Sequence, residues 1–371
     1  MELGKSQINT FDMFSMDSRK DRVYYEGQEF PAGYFAAEIL NFAGEICDPI
    51  LDRISTLSDL VYRVAFTEEG TDGKAFDNLL PLMRDTVSWI HTCPPFCYKH
   101  FQYEWHYFTR AMDPCCIEQN RTGSSKHKLC LFKRFSEEVL HILIAIYNFC
   151  LIIRIFEDEY LCDLERRTEK SFARAVQECF GSSDGILSVL NRMPFGETEK
   201  FSPYPRLISG FQFVQDPEDE GEWIAVQHII CKRLIDFYVY DLMNGLYHGH
   251  APSQCQNCGK FFLTTNGHKP KYCNGVAPQN DQMTCRQYGA MMHQKEKNKQ
   301  HPIYRLHSTR TNTIRKHHQR GKISDELRRE AICVTDQYRE RALMDNDYAA
   351  NGYAQDMVQE NIYEEARKRL Q

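Results

Sequence analysis

Four cysteines in the C-terminal third, Cys255, Cys258, Cys273 and Cys285, constrain what this chain can fold into more than any other feature. A Cys-x2-Cys pair lets one tight turn aim two sulfurs at a common point, and two further cysteines complete the donor set of a tetrahedral ion. Four thiolates suit Zn2+ and close its coordination sphere, so one structural zinc is expected, with no position left for a reacting water. The chain carries 15 cysteines in all, and most of the others read as small buried hydrophobes of a reduced protein. Cys93, Cys97, Cys115 and Cys116, with His91, His100 and His106 nearby, make a second cysteine-rich stretch whose spacing favours no one tetrahedron.

Local signals around the four cysteines agree with a metal knuckle. Gly259 follows the first pair, where a left-handed backbone is cheapest without a Cβ. Phe261 to Thr264 reads as extended, Asn266-Gly267 as a hairpin turn, and Lys269 to Tyr272 as the returning strand that delivers Cys273. Cys285 begins a helical segment, so its thiolate would lie near the positive helix end. Knuckle, hairpin and helix follow one another in the treble-clef order.

On these residues the segment from Cys255 to Lys299 resembles the CGNR-type zinc finger of bacterial regulators, although Arg286-Gln287-Tyr288 stands after the last cysteine where that family has Gly-Asn-Arg. It is also similar, through Tyr272-Cys273, Thr284-Cys285-Arg286 and the Gly321-Lys322-Ile323-Ser324 step, to an uncharacterised bacterial family of unknown function. The first resemblance implies DNA binding and the second implies zinc without an activity.

Charge is distributed unevenly. The net charge is −6, yet between positions 255 and 322 there are 13 Lys and Arg against two acids, Asp281 and Glu296. A basic module on an acidic body is the pattern expected when one part meets a polyanion, and the alternative is that the two halves dock on each other.

Along the chain, apolar spacing predicts two helices within 34–66, a third from Phe76 to Ile90, and a long one from Ser136 to Cys162. The most apolar stretch, Val139 to Phe156, contains His141, Asn148 and Arg154 and reads as a buried core helix, not a membrane span. Residues 181–222 read as a Gly/Pro-rich connection with a short strand at Phe211–Val214, and Ile224 to Leu246 as a second apolar helix. Pro302 starts a helix that Gly321 closes, Ser324 caps the next, which runs to Asn351-Gly352, and an amphipathic helix spans Tyr353 to Leu370. The expected class is mainly α: an acidic helical domain (1–180), a connection and packing helix (181–250), a treble-clef finger (251–300) and a basic-then-amphipathic helical tail (301–371). The segment MELGKSQINTFDMF has no apolar core and no cleavage-like site, so cytoplasm, where free thiols persist, is the expected compartment.

The leading functional reading is a non-enzymatic binding protein. Its zinc orders the finger, and Arg286, Lys295, Lys297, Lys299, Arg305, Arg310, Arg315 and Lys316 meet phosphates, as in a DNA-binding regulator. The alternative is a protein–protein adaptor with a purely structural zinc. The lesser alternative is an enzyme whose site lies in the N-terminal helical domain, since no phosphate-cradling loop, nucleophile elbow or paired-carboxylate motif is present.

Overall fold

The computed structural model describes residues 14–44, 47–65, 73–98, 126–164, 166–181, 199–216, 219, 221–265, 267–268 and 270–371, the side chains of 43, 44, 47, 48, 64, 65, 73, 126–134, 299 and 300 excepted. They form two compact units, Met1–Cys273 and Asn274–Gln371.

In the first unit the order is β1 Phe14–Arg19, β2 Arg22–Tyr25, β3 Gln28–Pro31, α1 Tyr34–Gly44, α2 Cys47–Ala65, α3 Gly73–Thr92 and a 3-10 turn Phe96–Tyr98. The chain continues with α4 Lys126–Phe156, a π turn Glu157–Leu161, α5 Glu169–Phe180, β4 Leu207–Gln215, β5 Trp223–Cys231, α6 Leu234–Tyr247, β6 Ala251–Gln254 and β7 Phe261–Thr264. Helices dominate, as expected, but five strands form an antiparallel sheet in the order β3-β2-β1-β5-β4. The tight turns that start it were local signals: Lys20 (φ 53°), Glu26 (φ 48°) and Gly27 (φ 76°) adopt the positive φ that two-residue hairpin turns demand.

Two expectations are corrected here. Ile224–Leu246 is not one helix, because its first part is β5 and only α6 is helical. Trp223–Cys231 is rich in β-branched residues and finds a nine-residue partner in β4, from Leu207↔Cys231 to Gln215↔Trp223. Strand β4 is correspondingly longer than the Phe211–Val214 expected.

One face of the sheet, with Phe14, Met16, Val23, Tyr25, Phe30, Ile229 and Cys231, is buried against the helices. Phe35 of α1 and Phe237 of α6 complete an aromatic lattice there, at 5.2 Å from each other and 5.3–5.6 Å from Tyr25. Such edge-to-face pairs add specificity to the apolar burial. The helix predicted within 136–162 is α4 and its π turn. The segment Phe135–Leu161 is long and apolar enough to cross a membrane, and 61% of its most apolar window is buried inside the fold, as in a core helix.

Helix α6 also holds the start of α1. Asp241 is fully buried and accepts the N–H groups of Gly33 and Ala36, both at 2.9 Å. Gly245 makes the approach possible, since a Cβ there would stand 2.8 Å from the Gly33 Cα. Burial pushes the Asp241 carboxyl up to about 7 against those N–H groups, and burial raises Glu199 to about 7 as well. The unfolded chain releases both protons near pH 4, so between about pH 4 and 7 the folded state binds more protons and stability falls as pH rises. The urea midpoint of the chelator-treated protein is therefore expected to drop from pH 5 to pH 7 and then level off. Asp241→Asn should remove about 1.4 kcal/mol per pH unit from that slope. An unchanged slope in the variant would refute the assignment.

The second unit contains β8 Val276–Ala277, β9 Asn280–Thr284, α7 Cys285–Gln300, α8 Pro302–Gln319, α9 Asp325–Met344, α10 Asn346–Asn351, α11 Tyr353–Asp356 and α12 Gln359–Leu370. Its core is Ile314, Ala331, Val334, Ala342, Tyr348, Tyr353, Met357, Ile362 and Ala366. Helix α8 ends as expected: Gly321 has φ 69°, its N–H reaches the His318 carbonyl, and Lys322 N–H reaches that of His317, closing a Schellman motif. Ser324 caps α9 by accepting the Leu327 N–H at 3.2 Å. Helix α9 stops earlier than predicted, because Asp345 leaves the helical region and caps α10 through the Tyr348 N–H. The tail expected as one helix from Tyr353 is divided into α11 and α12.

Candidate metal centre

The two predicted halves of the cysteine set are brought together: the sulfurs of Cys255, Cys258, Cys273 and Cys285 all lie within 4.8 Å of one another. None of them is in a disulfide, and the Cys258 and Cys273 sulfurs lie 3.7 Å apart. That separation is far from a disulfide and matches the edge of a tetrahedron with metal–sulfur bonds of about 2.3 Å, which is about 3.8 Å. Cys255, Cys273 and Cys285 are buried and Cys258 is half-buried. The cluster could hold a metal ion.

The knuckle is built from the backbone. Cys255 N–H donates to the Lys260 carbonyl and Gly259 N–H to that of Cys255, with Gly259 at φ 72° as its position required. Burial pushes the Cys255 thiol up, but the backbone N–H groups of Cys273, Cys258 and Asn257, with the Cys258 thiol, bring it down to about 7. The Cys273 N–H lies 3.4 Å from the Cys255 sulfur. Those donors favour the thiolate, the form that binds a metal.

The hairpin is not the one expected. Strand β7 pairs with β6, Ala251↔Thr264 to Gln254↔Phe261, so the knuckle sits at the turn of a β6–β7 ribbon. The other edge of β7 is taken by Asn41 of α1, whose side chain donates to the Phe261 carbonyl at 2.9 Å and accepts the Phe261 N–H at 2.6 Å. A returning strand has no edge to pair with there, and Tyr272 and its described neighbours belong to no strand. Lys271 instead lends its carbonyl to the Gln256 N–H, which sets Cys273 beside the knuckle. Asn266 and Lys269 lie outside the described residues.

Arg167 anchors the opposite end of the ribbon. It is 2% exposed, and its guanidinium reaches Thr264 Oγ1 at 2.9 Å, the Pro252 carbonyl at 3.3 Å and the Leu161 carbonyl at 3.5 Å. Its own N–H donates to the Gly267 carbonyl. Neither Asn41 nor Arg167 was predicted to matter, and no local pattern marks either.

The 11 residues between Cys273 and Cys285 are used by the β8–β9 hairpin, which delivers Cys285 as the first residue of α7, as predicted. Thr284 and Gln287 form a reciprocal capping box around it, and Cys285 N–H donates to the Gly275 carbonyl.

Of the second cysteine-rich stretch, Cys93, Cys97 and His91 are among the described residues. Burial raises the Cys93 thiol to about 12 and it donates to the Trp89 carbonyl, while Cys97 is exposed. Cys115, Cys116, His100 and His106 lie outside the described residues.

The predicted phosphate contacts fall on α7 and α8. Arg286, Lys295, Lys297, Arg305, Arg315 and Lys316 are exposed, and the Lys299 side chain lies outside the described ones. Arg310 is half-buried with its Nε enclosed, because α8 turns Ile303, His307, Ile314 and His317 inward with it. On that inner face His307 meets Asp336 at 2.9 Å and His317 meets the Tyr363 hydroxyl at 2.8 Å, while the Arg310 Nε has no hydrogen-bond partner among the described residues. The cations are therefore spread around the helices, and one is drawn inside. Positions 285–319 hold eight Lys and Arg against Glu296 alone. On α9 and α12 five of the seven Lys and Arg have acidic partners, Arg328 and Arg329 with Asp325, Arg339 with Asp336, Lys368 with Glu364 and Arg369 with Glu365. Among the described residues the exposed cations of α7 and α8 have no such ion pair.

No curated protein and no solved structure gives a significant match to this chain. The resemblance to the CGNR-type finger has no counterpart in the comparisons. Residues 204–369, from just before β4 to the end of α12, match the model of a family of unknown function, DUF6076.

Proposed function

We propose that this chain is a structural zinc protein whose α7–α8 arm binds nucleic acid through its phosphates. The observation that carries the reading is the run of exposed cations, without acidic partners among the described residues, that begins at the fourth cysteine. Four thiolates in a closed set suit zinc over harder ions and leave no open position for catalysis. Knuckle, β8–β9 hairpin and α7 follow in the treble-clef order, and free thiols fit a reducing cytoplasm.

Contacts of this kind position a protein on a duplex or strand without reading bases, so binding should be tight at low salt and weaken steeply as salt rises. Anisotropy of a labelled duplex and of a single-stranded RNA, measured from about 50 to about 200 mM salt, tests this. Replacing Lys295, Lys297, Arg305 and Arg315 by Gln should weaken binding by at least about tenfold at the lower salt. The log–log slope should become shallower by roughly one for each phosphate no longer neutralised. Equal affinity and slope in the variant would defeat the proposal and leave the adaptor reading in its place.

A further inference from the structure

Among the described residues, the outer edge of the five-stranded sheet carries no further strand. Strand β4 spans nine residues, LISGFQFVQ, with no charge and no proline. Among the described residues it pairs only with β5. At the opposite edge, β3 has four residues and carries Glu29 and Pro31, the usual protection against strand addition. Strand β4 has no such protection, and Ile208, Phe211 and Phe213 are 54%, 82% and 71% exposed.

Register shows why the aromatics stand in solvent. Phe211, Phe213 and Trp223 share the face that carries the buried Phe14, Met16, Ile229 and Cys231. The β4–β5 ribbon outruns the core, and its inner face continues beyond the helices that cover the rest. Charge is polarised along the same ribbon. Its base carries the exposed Arg206 and Lys232, while its tip carries Asp216, Asp219 and Glu222.

We propose that two copies of this chain pair edge to edge through β4, antiparallel and centred on Phe211. The midpoint of a nine-residue strand gives full overlap, and the pleat requires a register that keeps like faces together. In that register Phe211 lies opposite its own copy, Ser209 opposite Phe213, and Gln215 opposite Leu207. The next pair outward sets Arg206 of each copy against Asp216 of the other. A parallel arrangement would instead place acidic tip on acidic tip, so the charges select the antiparallel one. The contact is isologous: each copy uses the same strand, the two open edges satisfy each other, and assembly stops at two. The ten-stranded sheet has the short, guarded β3 at both ends.

The test is sedimentation velocity of the full zinc-loaded chain from about 1 to about 100 µM, a range that spans ordinary dimer affinities. The expected species is twice the 43.6 kDa of one chain. Phe211→Lys puts two like charges at the axis and should weaken association by at least about tenfold; the side chain is mostly exposed, so far-UV circular dichroism and thermal melting should match the parent. Arg206→Glu, remote from the axis, should weaken it several-fold through the end pairs. A wild-type chain that stays monomeric at the highest concentration overturns the proposal. A dimer that survives both substitutions overturns it equally, since its interface is elsewhere. Neither outcome bears on zinc or nucleic acid.

Discussion

Replacing Cys258 with serine is expected to strip the protein of its metal. A serine hydroxyl does not ionise at neutral pH, so the site keeps three of four anionic donors and loses the one that stands 3.7 Å from Cys273. Structural zinc contributes on the order of 10–16 kcal/mol of apparent binding free energy in small fingers, and losing one donor removes several orders of magnitude of affinity. Elemental analysis should give one zinc per wild-type chain and none for the variant after dialysis against a weak chelator. The helices of the first unit should survive, because the β6–β7 ribbon is held to them by Asn41 and Arg167 and not by the cysteines. New proteolytic cuts should then be confined to the stretch from Cys255 to Cys285. Zinc retained by the variant, or absent from the wild type, would refute the assignment.

The other large effect concerns Arg167. Arg167→Met removes the donor to Thr264 Oγ1 and to the Pro252 and Leu161 carbonyls, and takes away the cation that faces the buried Glu157. Breaking a buried charge network from one side costs about 3–5 kcal/mol, a large share of the stability of a typical domain. Arg167→Lys should recover only part of it, since an ammonium cannot reach three acceptors with the geometry of a guanidinium. Chemical denaturation would show the loss as a lower midpoint with an unchanged slope. A midpoint within experimental error of the wild type would mean that the ribbon is held by packing alone.

What was legible in the sequence was local. The four cysteines, Gly259 after the knuckle, Pro302 and Gly321 at the ends of α8, and Ser324 at the start of α9 each answer a requirement set by their immediate neighbours, and each stands where expected. What was not legible was set by distant partners. Strands β1 and β5 pair Phe14 with Cys231 across more than half the chain, and an apolar run such as Ile224–Ile230 becomes strand or helix according to what lies beside it. The hairpin after the knuckle was misjudged because the residue that occupies its edge is Asn41, on another element altogether. Arg167 follows Arg166 in a polar stretch with nothing to tell the two apart, yet one is exposed and the other enclosed. The exposure of the α7–α8 cations was foreseeable from composition; the inward turn of Arg310 was not, because it depends on how α8 rests on α9.

The grip of Asn41 and Arg167 on the β6–β7 ribbon has a consequence for how an ion would be acquired. In a free-standing finger the chain is disordered until metal arrives, and much of the binding free energy is consumed in ordering it. Here the ribbon that carries Cys255 and Cys258 is held by contacts that involve no cysteine, so the first half of the ligand set is preorganised. The Lys271–Gln256 hydrogen bond sets Cys273 beside them, so capture reduces to closing the Cys285 thiolate on donors already in place. Such a chain should outcompete autonomous fingers when zinc is scarce and surrender its ion late to a chelator, with release governed by the departure of Cys285 and not by unfolding of the knuckle.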